Sequence, residues 1–110
     1  MPDIPDQLTL GAAQAYVHAM CVHRGWDQRT AIEKMLFLTE EVGEVAKEVR
    51  KQAGRYGYAT PATTDELAGE LIDVFNFVLD IASTYDVDLE AAFRRNWQKN
   101  ATRVWDVPTA

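Results

Sequence analysis

The segment from Leu67 to Ala82 constrains this chain most. At about 100° per residue, Leu67, Leu71, Ile72, Val74, Phe75, Val78, Leu79 and Ala82 cover most of a helix's circumference. One narrow stripe remains, shared by Glu66, Glu70, Asp73 and Asp80, with Asn76 at its edge. A helix apolar nearly all round is a buried one. Its acidic stripe therefore faces protein or a bound group rather than bulk water. The capping pair Thr63 and Glu66 opens this helix, and the spacing carries it to about Tyr85.

Three other segments share the helical period. Leu10, Ala13, Tyr16, Val17, Met20 and Cys21 follow the N-cap Thr9 and stop at Gly25. A capping box of Thr30 and Glu33 starts a helix that runs to near Gln52. Its apolar stripe is Ile32, Met35, Leu38, Val42, Val45, Ala46 and Val49, with Glu40, Glu41, Glu44 and Glu48 on the other side. Asp86-Val87-Asp88 then turns the chain, and Asp88 caps a last helix from Leu89 to about Arg103, with Leu89, Ala92, Phe93 and Trp97 inward. Residues 53–63, which include Arg55, Tyr56 and Tyr58, form the clearest loop, long enough for a functional role as well as a connection. Residues 1–8 and 104–110 read as irregular tails, with Trp105 docking on a neighbour. The expectation is one all-α domain over 1–110, a four-helix antiparallel bundle-like protomer. Three neighbouring helices are too few to cover the segment 67–82, so oligomerisation completes the fold.

Composition narrows the function. A formal net charge of -6 excludes a nucleic-acid duplex as main partner, because counterion release needs a basic surface. It leaves nucleotides open, since a bound metal reverses the local sign. The single Cys21 precludes an internal disulfide and fits a reducing compartment. No basic segment leads into an apolar run at the N-terminus, and no apolar stretch spans a bilayer, so the expected location is cytoplasmic. His18, Cys21 and His23 point in different directions on a helix, which argues for a core cysteine beside two surface histidines rather than a zinc site.

The acidic helices carry the chemistry. Glu40–Glu44, Glu44–Glu48 and Glu66–Glu70 are like-charged i,i+4 pairs, each destabilising by about 0.2–0.5 kcal/mol. Between packed helices, unneutralised carboxylates cost far more or take up protons. A hard dication such as Mg²⁺ removes that difficulty. Glu41 and Glu44 are i,i+3 on one helix, and Glu70 and Asp73 on the other. Spacing alone equally allows a solvated, ion-paired face, because Lys47 and Lys51 lie near Glu44 and Glu48.

These residues resemble a known family. Glu40-Glu41-Val-Gly-Glu44 is similar to the E-E-x-x-E motif of the MazG-like, all-α nucleoside triphosphate pyrophosphohydrolases, and Glu70-Leu-Ile-Asp73 to their E-x-x-D motif. Asp86-Val-Asp88-Leu89 followed by Lys99-Asn100-Ala-Thr-Arg103 resembles the family's closing signature, and Arg24-Gly25-Trp26 the segment before the motif helix. The resemblance implies hydrolysis of a nucleoside triphosphate, commonly a deoxynucleotide or a damaged one, to the monophosphate and pyrophosphate. It implies Mg²⁺, with Mn²⁺ as a substitute, held by Glu41, Glu44, Glu70 and Asp73. Glu40, beside Glu41, would orient or deprotonate water or help hold a further ion, and Lys99, Asn100 and Arg103 would bind phosphate. Without the resemblance, Lys99 and Arg103 read as the usual cationic helix end. Trp26, Phe77, Tyr56 and Tyr58 are candidates to stack on a base, and Asn76 to bond its edge. Family members are dimers or tetramers whose helices complete one another's sites, so a homodimer or homotetramer is expected. Two other readings stay open: a phosphoribosyl-ATP pyrophosphohydrolase, and a non-catalytic helical oligomerisation or metal-binding module.

Overall fold

The structure, a computed structural model, describes residues 1–54 and 63–104. Arg55, Tyr56, Tyr58 and Trp105 lie outside the described residues. The described part is helical throughout its regular elements: α1 (Leu10–Arg24), α2 (Ala31–Gln52), α3 (Thr64–Thr84) and α4 (Leu89–Thr102), with a short 3-10 turn at Trp26–Gln28. None of these helices is long and apolar enough to cross a membrane.

The punctuation follows the side-chain chemistry of helix ends. Thr9 caps α1 through the amide of Ala12, and Gly25 ends it in the left-handed region at φ 73°, where a Cβ would be strained. At Thr30 the capping box is complete: its Oγ1 accepts from the Glu33 amide at 3.2 Å, and Glu33 Oε1 accepts from the Thr30 amide at 3.1 Å. Replacing Thr30 by Ala should lower stability by about 1 kcal/mol, read as a fall in the denaturant midpoint. Thr63 accepts from the Glu66 amide at 3.2 Å, which is half of the predicted second box. Asp88 caps α4 through the amide of Ala91.

Antiparallel packing of α2 on α3 is the heart of the fold. Lys34 meets Asp80, Phe37 stacks on Phe77, and Glu41 lies against Glu70 and Asp73, so rising numbers on α2 pair with falling numbers on α3. Helix α1 covers a further side of α3. Gln14 fixes the turn between α3 and α4: its Nε2 donates to Val87 O at 2.6 Å, and its Oε1 accepts from the Leu89 amide at 3.1 Å. From that turn α4 returns along α1.

Three expectations about burial meet the single chain as follows. The first concerns α2. The side turned to α3 holds Lys34, Phe37, Leu38, Glu41, Val45 and Glu48, rotated by about 90° from the apolar stripe at 100° per residue. Ile32 is 76% exposed, and Met35, Val42 and Val49 are about half exposed. Periodicity locates an apolar stripe without saying which surface covers it, and here ion pairing lets polar residues take the contact with α3. The second concerns α3, which its three neighbours in the chain leave partly uncovered: Leu79 is 1% exposed, yet Leu71, Ile72, Phe75 and Val78 face outward. The third concerns α4, where Phe93 and Trp97, expected inward, are each 58% exposed and pack on one another at 6.1 Å. Among the described residues, buried Lys34, Glu48 and Asp80 match in number the buried apolar Cys21, Leu79 and Ala82. The Cα radius of gyration is 17.3 Å, against about 13 Å for a compact chain of this length.

Candidate active site

Glu41 on α2 and Glu70 and Asp73 on α3 form a carboxylate cluster. One oxygen from each lies within 4.8 Å of the others. Antiparallel packing makes this possible, because i,i+3 spacing puts Glu70 and Asp73 on the same side of α3, opposite the turn of α2 that carries Glu41. Burial pushes the Glu41 carboxyl above its ordinary range, and the charges of Asp73 and Glu70, a hydrogen bond with Glu70 and the Glu44 charge push it the same way. This crowding disfavours the charged form of Glu41, and a cation among the three carboxylates would relieve it.

The donor set fits a hard dication. It is all carboxylate, with no thiolate or imidazole, as Mg²⁺ prefers. Oxygens within 4.8 Å of one another would suit one shared ion at about 2.0–2.6 Å. Glu44 is exposed and outside the cluster of three, although its charge reaches Glu41. Glu40 is exposed about 100° round the helix from Glu41. Glu48, which spacing allows on a solvated face near Lys51, is instead buried, its Oε1 accepting from Lys51 Nζ at 3.2 Å.

Beside the cluster opens a cleft of about 530 Å³. Glu41, Asp73 and Asn76 line one part of it, Tyr16, Val17 and Met20 of α1 another. Trp26, Arg24, Arg29 and Phe37 line a third part, with Phe77, Asp80 and Cys21 also contributing. Asn76 thus reaches the cleft, as does Trp26, but the Trp26 ring meets cations: the Arg24 and Arg29 guanidiniums lie 4.8 and 4.9 Å from its centroid. Phe77 stacks on Phe37 at 5.8 Å and 18°.

Asp80, placed by the sequence on the acidic stripe, is withdrawn from the cluster. Its Oδ1 accepts from Lys34 Nζ at 3.0 Å, and the same ammonium donates to Thr84 Oγ1 at 2.9 Å. Burial, followed by the nearby Asp80 charge, pushes the Cys21 thiol above its usual range. Lys34 was legible by spacing, since positions 34, 37, 41, 45 and 48 follow one helix face. Arg29 carries no such signal.

Lys99, Asn100 and Arg103 do not line the cleft. Lys99 flanks a separate apolar groove between α4 and the outward Phe75 and Val78 of α3.

Comparison with known proteins gives the family and the fold. The model of the MazG nucleotide pyrophosphohydrolase domain matches residues 29–107. No curated protein matches the chain significantly. Among solved structures, that of the "putative pyrophosphatase YPJD from Bacillus subtilis" is similar at a TM-score of 0.74 and 27% identity, covering 91% of this chain and 100% of that one.

Proposed function

Since the chain belongs to the MazG nucleotide pyrophosphohydrolase domain family, we propose that it cleaves a nucleoside triphosphate, canonical or damaged, between the α- and β-phosphates. The observation that carries this reading is the convergence of Glu41, Glu70 and Asp73 at a cleft with both apolar and cationic walls. Water's oxygen bonds to the α-phosphorus while passing a proton to the Glu40 carboxylate, and pyrophosphate leaves with the electron pair of the broken phosphorus–oxygen bond. Bound Mg²⁺, or Mn²⁺ in its place, would offset phosphate charge. The chain's own part is to hold and orient. Glu41, Glu70 and Asp73 supply the ligands, and Glu44 completes the set from the solvent side. Glu40 positions the water from the rim of α2. Asn76 and the walls of α1 take the nucleoside, with Trp26 at the cleft's far side.

The apolar faces of α2, α3 and α4 point to a second copy as their cover, in a homodimer or homotetramer. Lys99, Asn100 and Arg103 then serve phosphates in a neighbouring protomer's cleft, because α4 stands on α1 and away from its own. The test is a panel of canonical and modified triphosphates with Mg²⁺, with phosphorus NMR of the products and light scattering of the same sample. Monophosphate plus pyrophosphate, from a particle of at least twice the 12.4 kDa chain mass, is the expected result. Orthophosphate as the first product, or no turnover of any member, refutes the activity.

A further inference from the structure

The cleft holds two guanidiniums that its acidic residues do not use. Arg29 leaves the 3-10 turn in extended backbone, φ -68° and ψ 140°, just before the N-cap of α2. Its guanidinium lies 4.9 Å from the Trp26 centroid and 4.6 Å from the Phe37 centroid, and is half-buried between them. Arg24 approaches Trp26 at 4.8 Å. Among the described residues neither arginine forms an ion pair; those present join Lys34 to Asp80 and Lys51 to Glu48. Contact with aromatic faces leaves the guanidinium's edge donors unspent and holds their plane in place, which lowers the entropy lost on binding an anion.

Position along α2 matters as well. Phe37 precedes Glu41 by four residues, about 6 Å of helix rise. The ring under the Arg29 cation therefore belongs to a residue one turn before Glu41, and Arg29, Phe37 and Glu41 line the same cleft. The α1 wall of Tyr16, Val17 and Met20 is apolar and suits a nucleoside; the Arg24–Arg29 side does not.

We infer that Arg29, assisted by Arg24, forms an anion subsite for the pyrophosphate end of the substrate. This rests on the proposed triphosphate cleavage. Arg29 touches the leaving group and acts within its own protomer, unlike the cations of α4. Trp26 is a positioning residue that acts through Arg29 and Arg24.

The test is calorimetric titration of the full chain with inorganic pyrophosphate and Mg²⁺. Arg29→Gln should weaken binding by about 10–100-fold, the range for a lost charge-assisted hydrogen-bond pair. Arg29→Lys should recover part of it, and Arg29→Met, which keeps bulk against the rings, none. Thermal unfolding of each variant separates this from a role in the fold. If Lys and Met variants lose binding equally and only in step with stability, or if Arg29→Gln binds pyrophosphate as the unaltered chain does, the subsite is refuted. Failure of the unaltered chain to bind pyrophosphate also refutes it. Arg29-dependent binding in a chain that cleaves no triphosphate would keep the subsite and refute the hydrolase reading instead.

Discussion

Asp73→Asn and Glu41→Gln should each lower the rate of triphosphate hydrolysis by more than about a hundredfold. Groups that merely orient metal ligands are worth about 10–100-fold, and these two carboxylates belong to the cluster itself. Both substitutions preserve shape and remove charge. Loss of function through misfolding is therefore not expected, and the metal-free protein offers a check. Glu41 is held above the ordinary carboxyl range by burial and by the charges of Asp73 and Glu70. Folded chains thus retain a proton that unfolded chains have released. Stability from that proton is complete below the unfolded carboxyl value and is lost as pH rises through the raised folded value. Metal-free Glu41→Gln should lack this dependence and melt higher than the unaltered chain at neutral pH. Added Mg²⁺ should stabilise the unaltered chain, releasing protons as it binds, and leave the variant's melting temperature nearly unmoved. Retained activity in either variant would move the site elsewhere on the helices.

The sequence was informative where one helix decides the outcome. Thr9, Gly25, Thr30 and Asp88 end helices through local hydrogen bonds or backbone conformation, and such signals need no tertiary context. Glu70 and Asp73 share a side of α3 for the same reason. What could not be read was the rotation of each helix about its axis. Val42 and Glu41 are neighbours in sequence, and apolar patterning favours burying Val42; the structure half-exposes Val42 and covers Glu41 instead. That choice depends on pairing across helices, which no single helix encodes. Lys34 could have been placed by its spacing from Glu41, but only if a lysine were allowed on a contact face. Arg29 could not, because its position depends on the 3-10 turn and on the Phe37 ring from the next helix.

Lys34→Met should be strongly destabilising. Lys34 and Asp80 are buried against each other, with side chains 4% and 8% exposed and Nζ to Oδ1 at 3.0 Å. The ammonium also bonds Thr84 Oγ1 at 2.9 Å. Removing the cation leaves Asp80 buried without a counter-charge, and breaking such a pair from one side costs about 3–5 kcal/mol. For a chain of this size that is a fall in melting temperature of about 12 °C or more, measurable by circular dichroism. Asp80→Leu alone should cost a similar amount, because it strands the ammonium. The double variant Lys34→Met with Asp80→Leu should recover most of the loss, since apolar replacement of both charges removes the desolvation penalty along with the attraction. Failure of the double variant to recover would mean that the pair supplies more than mutual neutralisation, with the Cys21 thiol and Thr84 hydroxyl as its dependents. Below the melting range, Lys34→Met should still hydrolyse triphosphate within about tenfold of the unaltered rate, because its partner Asp80 is not one of the clustered carboxylates. A large stability loss with retained turnover would separate the ion pair that fixes the α2–α3 register from the carboxylates that register brings together.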